Sequence, residues 1–203
     1  MFHVEQEVMD QLNVSRETFD RLLIYQELLK KWQRSINIVS RGTIEDFWNR
    51  HVLDSLQIAK YIKGENILDV GSGGGFPGMI LAICTNLHVT CLDSDNRKTL
   101  FLEEVARQTE TKVKILNMRI ESLQEKDFDV VCARGFAKLS TLIQISEIYS
   151  KNSEGVFLKG ENINKEIVEA LKEFDFKYIL HKSVSDKRGR IIVLSDIVKK
   201  IIL

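Results

Sequence analysis

The chain has 203 residues, 29 Lys+Arg against 29 Asp+Glu, 44% apolar residues, 11 glycines and one proline. A single proline excludes collagen-like and proline-rich readings. Zero net charge excludes a generally basic nucleic-acid or membrane binder, though not a local basic patch. Length and apolar content suit one domain with a real core and a small extension.

The three cysteines, Cys84, Cys91 and Cys132, lie in apolar stretches at spacings that match no zinc or iron–sulfur pattern. Buried thiols in a reducing compartment are expected, with no metal. The N-terminus has no signal-peptide shape, and no apolar run approaches the roughly 20 residues of a membrane span. A cytoplasmic location with no membrane partner is expected.

Residues 1–62 read as helices. Val4, Val8 and Leu12 stand at i, i+4, i+8. Ser15 is placed to cap a second helix running through Phe19, Leu22, Leu23, Gln26, Leu29 and Trp32. Thr43 with Asp46 resembles a capping box, opening a third helix through Trp48, Val52, Leu56 and Ala59 that Gly64 ends. After Gly64 short β-rich runs alternate with helical patterns. The runs are Asn66–Val70, Val89–Asp93, Val113–Leu116, Phe128–Cys132 and Val156–Leu158, and helices begin near Phe76, Asn96, Lys138 and Asn164. That rhythm predicts an α/β fold with a parallel sheet and right-handed crossovers. Phe176–Leu180 and Ile191–Leu194 have no helix between them and predict an antiparallel edge. The expected plan is a helical N-terminal extension, 1–63, on a Rossmann-like unit, 64–203.

Five glycines and the proline fall in Asp69-Val-Gly71-Ser-Gly73-Gly-Gly75-Phe-Pro77-Gly78, between a strand and an apolar helix. Such a loop turns tightly, bares backbone to a ligand and aims a helix N-terminus at it. Gly73-x-Gly75-x-x-Gly78 matches a dinucleotide loop, and Asp69-x-Gly71-x-Gly73-x-Gly75 matches a methyltransferase loop. The strand stops at Gly71, which places Asp69 at its end. A carboxylate there suits the ammonium and sulfonium of S-adenosylmethionine better than a pyrophosphate. Asp93 ends the second strand, where ribose hydroxyls are held in either case. Ile120 and Glu121 follow the third strand and are placed to face an adenine. Arg134 ends the fourth, where a target is presented.

In these residues the chain resembles the ribosomal RNA small subunit methyltransferase G family, also called the glucose-inhibited division protein B family. The resemblance spans most of the chain. It rests on Trp32-Gln-Arg-Ser-Ile-Asn-Ile-Val-Ser40, on Asn49-Arg-His-Val-Leu-Asp-Ser55, and on the loop 69–78 with its Phe-Pro-Gly end. Leu92-Asp-Ser94, Arg134-Gly-Phe-Ala137 and Leu158-Lys-Gly160 recur in register. The resemblance implies a Rossmann-type S-adenosylmethionine-dependent methyltransferase fold. It also implies methylation of guanine N7 in 16S rRNA, in the 530 loop. By motif it places cofactor contacts on Gly71, Phe76, Ile120, Glu121 and Arg134, with Asp93 by position. Val39 and Gly135 depart from the family's usual Thr and Ala.

Guanine N7 carries a lone pair and no proton, so its methylation is a direct displacement that needs no general base. With Pro77 the only proline, neither the Asn/Asp-Pro-Pro-aromatic loop of amino methyltransferases nor a Pro-Cys nucleophile exists here. RNA contact is expected from Lys30, Lys31, Arg34, Arg50, His51, Lys159, Lys187, Arg188 and Arg190. Residues 177–203 carry seven Lys/Arg against two Asp/Glu, a local excess of five positive charges. A monomer acting on 16S rRNA or a small ribosomal subunit is expected. The alternatives are an NAD(P)-dependent oxidoreductase and a non-catalytic RNA-binding module.

Overall fold

The structure, a computed structural model, describes residues 9–10, 14–152 and 154–201. The expected helix through Val4, Val8 and Leu12 lies outside the described residues. Helix α1 spans Arg16–Trp32, and the Ser15 hydroxyl accepts the Thr18 N–H at its start. Glu17 in its first turn and Lys30 and Lys31 in its last suit the helix dipole. Phe19, Leu22, Tyr25, Leu28 and Leu29 form its buried stripe. Burying Leu22 or Leu29 completely stabilises the fold by about 1.5–3 kcal/mol each.

Beyond α1, the Gln33 amide folds the chain back on itself. Its oxygen accepts the N–H groups of Ile38 and Val39, and its nitrogen donates to Val39 O at 2.7 Å. This seats Ile38 beneath Gly74 of the glycine loop.

The Thr43–Asp46 capping box does not form. Thr43 closes a 3₁₀ turn, Arg41–Thr43, and its hydroxyl donates to Ser40 O at 2.9 Å. The next helical segment starts instead with a wide π turn, Trp48–Leu53, which runs into the short helix α2, Asp54–Leu56. A 3₁₀ turn, Ala59–Tyr61, leads to the sheet.

The strands are β1 Asn66–Val70, β2 His88–Asp93, β3 Lys114–Asn117, β4 Val130–Arg134, β5 Gly155–Lys159, β6 Phe174–Lys182 and β7 Arg190–Lys199. The remaining helices are α3 Gly78–Cys84, α4 Asn96–Gln108, α5 Leu139–Tyr149 and α6 Ile163–Ala170. The sheet order is β3-β2-β1-β4-β5-β7-β6. β1 to β5 are parallel, β7 inserts antiparallel beside β5, and β6 pairs antiparallel with β7 at the edge. β4 is displaced two residues from expectation. Phe128 makes only an isolated bridge to Ser150, and the Asp129 carboxylate takes the N–H groups of Glu65 and Asn66.

Alternate β1 residues face two apolar layers. Ile67 packs with α1, α3 and α4, whereas Leu68 and Val70 pack with α5 and α6. Residues of α1 and of the sheet share one apolar cluster. Cys91 and Cys132 are buried and Cys84 half-buried, all as free thiols. Among the described residues no helix is long and apolar enough to cross a membrane.

The strand order reverses at β1 and β4, so a crevice opens at their carboxyl ends. The register Lys159↔Arg190 puts the start of β7, and with it the β6–β7 loop, at that same edge.

Candidate functional site

The glycine loop leaves β1 at Gly71 and is pinned to β2. Gly71 and Ser72 both donate to Leu92 O, and the Ser72 hydroxyl accepts the Leu92 N–H. At Gly73 φ is +56°, and an added Cβ would meet nothing closer than 3.8 Å. That backbone is bare toward the crevice. Gly75, at φ +90°, has a different reason: a Cβ there would lie 2.5 Å from the Tyr25 hydroxyl and 2.7 Å from Met79. It is a helix-packing glycine, not a ligand-facing one. Tyr25, which the sequence pattern of α1 passed over, donates its hydroxyl to Gly74 O.

Asp69 does not meet the crevice. The pleat turns it to the Ile67 face, where it is fully buried. Its Oδ2 accepts the Gly78 N–H at 3.0 Å, so it ties the end of the loop to β1. Burial pushes its carboxyl up to about 6, against hydrogen bonds from Ser72 and Gly78. The expected contact with a ligand ammonium is replaced by a structural clamp on the loop.

Asp93 does stand at the crevice. One oxygen accepts the Gly73 N–H and the other the Asp95 N–H, both at 2.8 Å. Each oxygen keeps a further lone pair. A cleft of about 380 Å³ runs beside it, lined by Gly71, Lys98, Ile120, Glu121 and Phe136. Ile120 is buried, with its carbonyl taken by the Tyr149 hydroxyl, and Glu121 is exposed.

Phe76 forms the floor of an adjoining cleft of about 350 Å³ that also touches Ser40, Thr43, Gly73, His51 and Arg134. The Phe76–Pro77 peptide is cis. The Phe76 ring is sandwiched between Tyr25, with centroids 5.5 Å apart, and His51, 4.4 Å apart. The Arg134 guanidinium lies 4.8 Å from the Phe76 centroid.

Arg134 donates to Arg50 O at 2.6 Å, to Asp54 Oδ2 at 3.2 Å and to His51 Nδ1 at 2.9 Å. Burial lowers its pKa and Asp54 opposes that shift. His51 is pushed down to about 3 by burial and by the charges of Arg134 and Arg50. It is therefore neutral, with Nδ1 accepting and Nε2 carrying the proton toward Thr43 Oγ1 at 3.1 Å. His51 is 3% exposed, so the expected RNA contact is corrected to a buried support for Arg134.

A third basin of about 510 Å³ continues from Arg134 and Gly135 past Arg50, Lys159, Arg188 and Arg190. Lys159 is a second correction. Its ammonium donates to Ala137 O and pairs with Glu166 at 2.7 Å, and its side chain is 10% exposed. It holds α6 against β5. Arg50 pairs with Asp186 at 2.8 Å, yet remains partly exposed in both the cleft and the basin. Lys187 and Arg188 are exposed, and the Arg190 guanidinium folds back onto Lys187 O and Gly189 O. Lys30 pairs with Glu27 on its own helix. Lys31 is exposed within electrostatic range of Glu104 on α4. Arg34 lines a separate groove with Gln33 and Ser40.

Sequence reasoning expects Asp54 to pair with His51 near the cleft, but misses Lys98, Phe136 and the polar seam that joins Asp54 to Gln57, Ser183 and Ser185. Lys98 was discoverable: it stands in the first turn of the helix after β2. The seam joins residues more than 120 positions apart and left no local signal.

Comparison with known proteins places these features. A family model described as "GidB: rRNA small subunit methyltransferase G" matches residues 18–193. The Ribosomal RNA small subunit methyltransferase G of Rickettsia felis is 40% identical over 190 residues, which is 93% of this chain and 98% of that protein. That of Rickettsia prowazekii is 37% identical over 190 residues, covering 93% and 99%. In fold, the chain is similar to M. jannaschii TYW2 in complex with AdoMet, with a TM-score of 0.57 at 17% identity over 82% of this chain and 80% of that one. Both the glycine loop and the Arg50–Ser55 turn lie inside the matched span, and the chain belongs to the rRNA small subunit methyltransferase G family.

Proposed function

We propose that the protein transfers the methyl group of S-adenosylmethionine to N7 of a guanine in 16S rRNA, the 530 loop being the region the family resemblance implies. The observation that carries the reading is one continuous edge. The cleft at Asp93 and Ile120, the floor at Phe76 and the basin at Arg50 and Arg188 adjoin along the carboxyl ends of β1, β2, β4 and β5. Cofactor and RNA thus have separate places with Arg134 between them.

The residues present fit the cofactor. Asp93 keeps free lone pairs for ribose hydroxyls, Ile120 offers an apolar side for adenine, and Gly73 leaves bare backbone for the amino-acid end. The bound cofactor supplies the sulfonium methyl. The protein holds the base in line with it. Arg134 is aimed by three acceptors that all belong to the turn Arg50–Asp54, so its direction depends on how firmly that turn is held. His51 has both ring nitrogens committed and serves as a support, in keeping with a displacement that removes no proton. Lys187, Arg188 and Arg50 position phosphates at the open side. The protein acts as a monomer in the cytoplasm.

Incubation with labelled S-adenosylmethionine and small ribosomal subunits tests this, followed by mapping of the labelled nucleotide. Label on guanine N7 is the expected result. Label confined to an exocyclic amine or to protein would overturn it. An NAD(H) titration that gave binding where S-adenosylmethionine gave none would favour an oxidoreductase.

A further inference from the structure

The turn at 49–57 and the β6–β7 loop are stitched together by side chains. The Asn49 amide donates to Ser185 O at 3.2 Å, and Arg50 pairs with Asp186. Gln57 accepts the Val184 N–H at 2.9 Å and donates to Ser183 Oγ at 3.0 Å. Asp54 stands at the centre and is 8% exposed. Its Oδ1 accepts the Ser185 hydroxyl at 2.5 Å, and its Oδ2 accepts Arg134 at 3.2 Å. A single carboxylate therefore joins the loop, through one oxygen, to the arginine at the end of β4, through the other.

We propose that Asp54 is a positioning residue through which RNA held on the β6–β7 loop and cofactor held in the cleft raise each other's affinity, a coupling that rests on the rRNA reading above. Arg134 lines both the cofactor-side cleft and the basin. Its three acceptors, Arg50 O, His51 Nδ1 and Asp54 Oδ2, all belong to the one turn that the loop grips. Phosphates docked on Lys187 and Arg188 fix the loop, the loop fixes the turn, and the turn fixes the guanidinium. The second ligand then meets an ordered Arg134, and its binding costs less ordering entropy. Reciprocity follows from thermodynamic linkage. The same coupling gives a reason for the order Arg50-His51-Val52-Leu53-Asp54: three of its five residues each give Arg134 an acceptor.

The test is calorimetric titration of S-adenosylhomocysteine, which cannot turn over, with and without a 16S rRNA fragment. The proteins are wild type, Ser185→Ala, Ser185→Thr and Asp54→Asn. In wild type the RNA should tighten the analogue by about fivefold or more. Ser185→Ala should bind the analogue alone as wild type does and lose that enhancement. Ser185→Thr keeps the hydroxyl and should retain it, and Asp54→Asn should lose it. Enhancement that survives both Ser185→Ala and Asp54→Asn overturns the proposal. So does a wild type that binds both ligands independently. A wild type that binds the analogue but no rRNA overturns the underlying function, and the inference with it.

Discussion

The two sides of the groove are built on different principles. The proposed cofactor side is dominated by one strand–loop–helix passage, 66–84, and the end of β2, with Lys98, Ile120, Glu121 and Phe136 along its edge. Its shape is set by backbone: left-handed glycines, hydrogen bonds to Leu92, and a clamp from Asp69. The proposed RNA side is assembled from three segments that meet only in three dimensions, at Arg50–Gln57, Arg134 and Ser183–Arg190. It is held by charges and side-chain amides. A backbone-built side should fail by steric damage and respond to pH only through the Asp69 clamp. A side-chain-built side should fail by removal of single groups and respond to pH and salt.

The largest effect should come from the backbone side. Gly75→Val forces a side chain into Tyr25 at φ +90° and should cost roughly 3–5 kcal/mol or abolish folding. Chemical denaturation measures it, and a loss below about 1 kcal/mol would mean that α1 yields at this contact. On the other side, Arg134→Ala leaves Asp54 with an unbalanced buried charge and should cost about 2–3 kcal/mol. A stability equal to wild type would show that water replaces the guanidinium freely.

His51 sharpens the pH contrast. Its folded pKa is depressed to about 3, below the ordinary 6.5 of the unfolded chain. The unfolded state therefore takes up the proton first. The stability that His51 contributes is complete above pH 6.5 and is lost as pH falls toward 3, by at most about 1.4 kcal/mol per pH unit. Asp69, raised to about 6, has the opposite sign and partly masks the trend below pH 6. The difference between wild type and His51→Gln isolates His51: the variant should show the flatter decline between about pH 6.5 and 5. Parallel curves would assign the pH dependence elsewhere.

Gly73→Ala is the mild counterpart of Gly75→Val. Its Cβ faces open crevice, so stability should fall by only about 1–2 kcal/mol for the left-handed φ. Cofactor affinity should weaken by about tenfold, or about 1.4 kcal/mol. Unchanged affinity would separate the loop from the ligand. The smallest effect on the fold belongs to joint replacement of Lys187, Arg188 and Arg190 by Ala. Melting should hardly move, while the salt slope of RNA binding should flatten by about 0.7–0.9 for each phosphate that is no longer neutralised. An unaltered slope would return this loop to ordinary surface.

Most of the backbone-built side was legible in the chain. Alternating β and helical runs placed the strands to within a few residues, and glycine spacing located the loop. What failed there was direction. Strand parity turns Asp69 away from the crevice, and only the pairing of β1 with α3 reveals which parity faces which layer. The loop motif marks Gly75 as ligand-facing because the same residue type serves a tight turn and a close helix contact. On the other side, sequence alone marks Lys159 and His51 as cations for RNA. Their partners, Glu166 for one and Arg134 for the other, lie in distant segments, so their burial left no local mark.

By itself the sequence determined the periodicities, the glycine loop and the absence of proline elsewhere, because these act through bonds and neighbours within a few residues. Only the tertiary structure decided which polar groups direct their hydrogen bonds to each other and which remain for ligands. That outcome depends on the β5–β7 register, which carries the last loop to the edge where β1 and β4 part. It is a long-range pairing, and the same residues in another register would have left Arg134 without Asp54's partner Ser185.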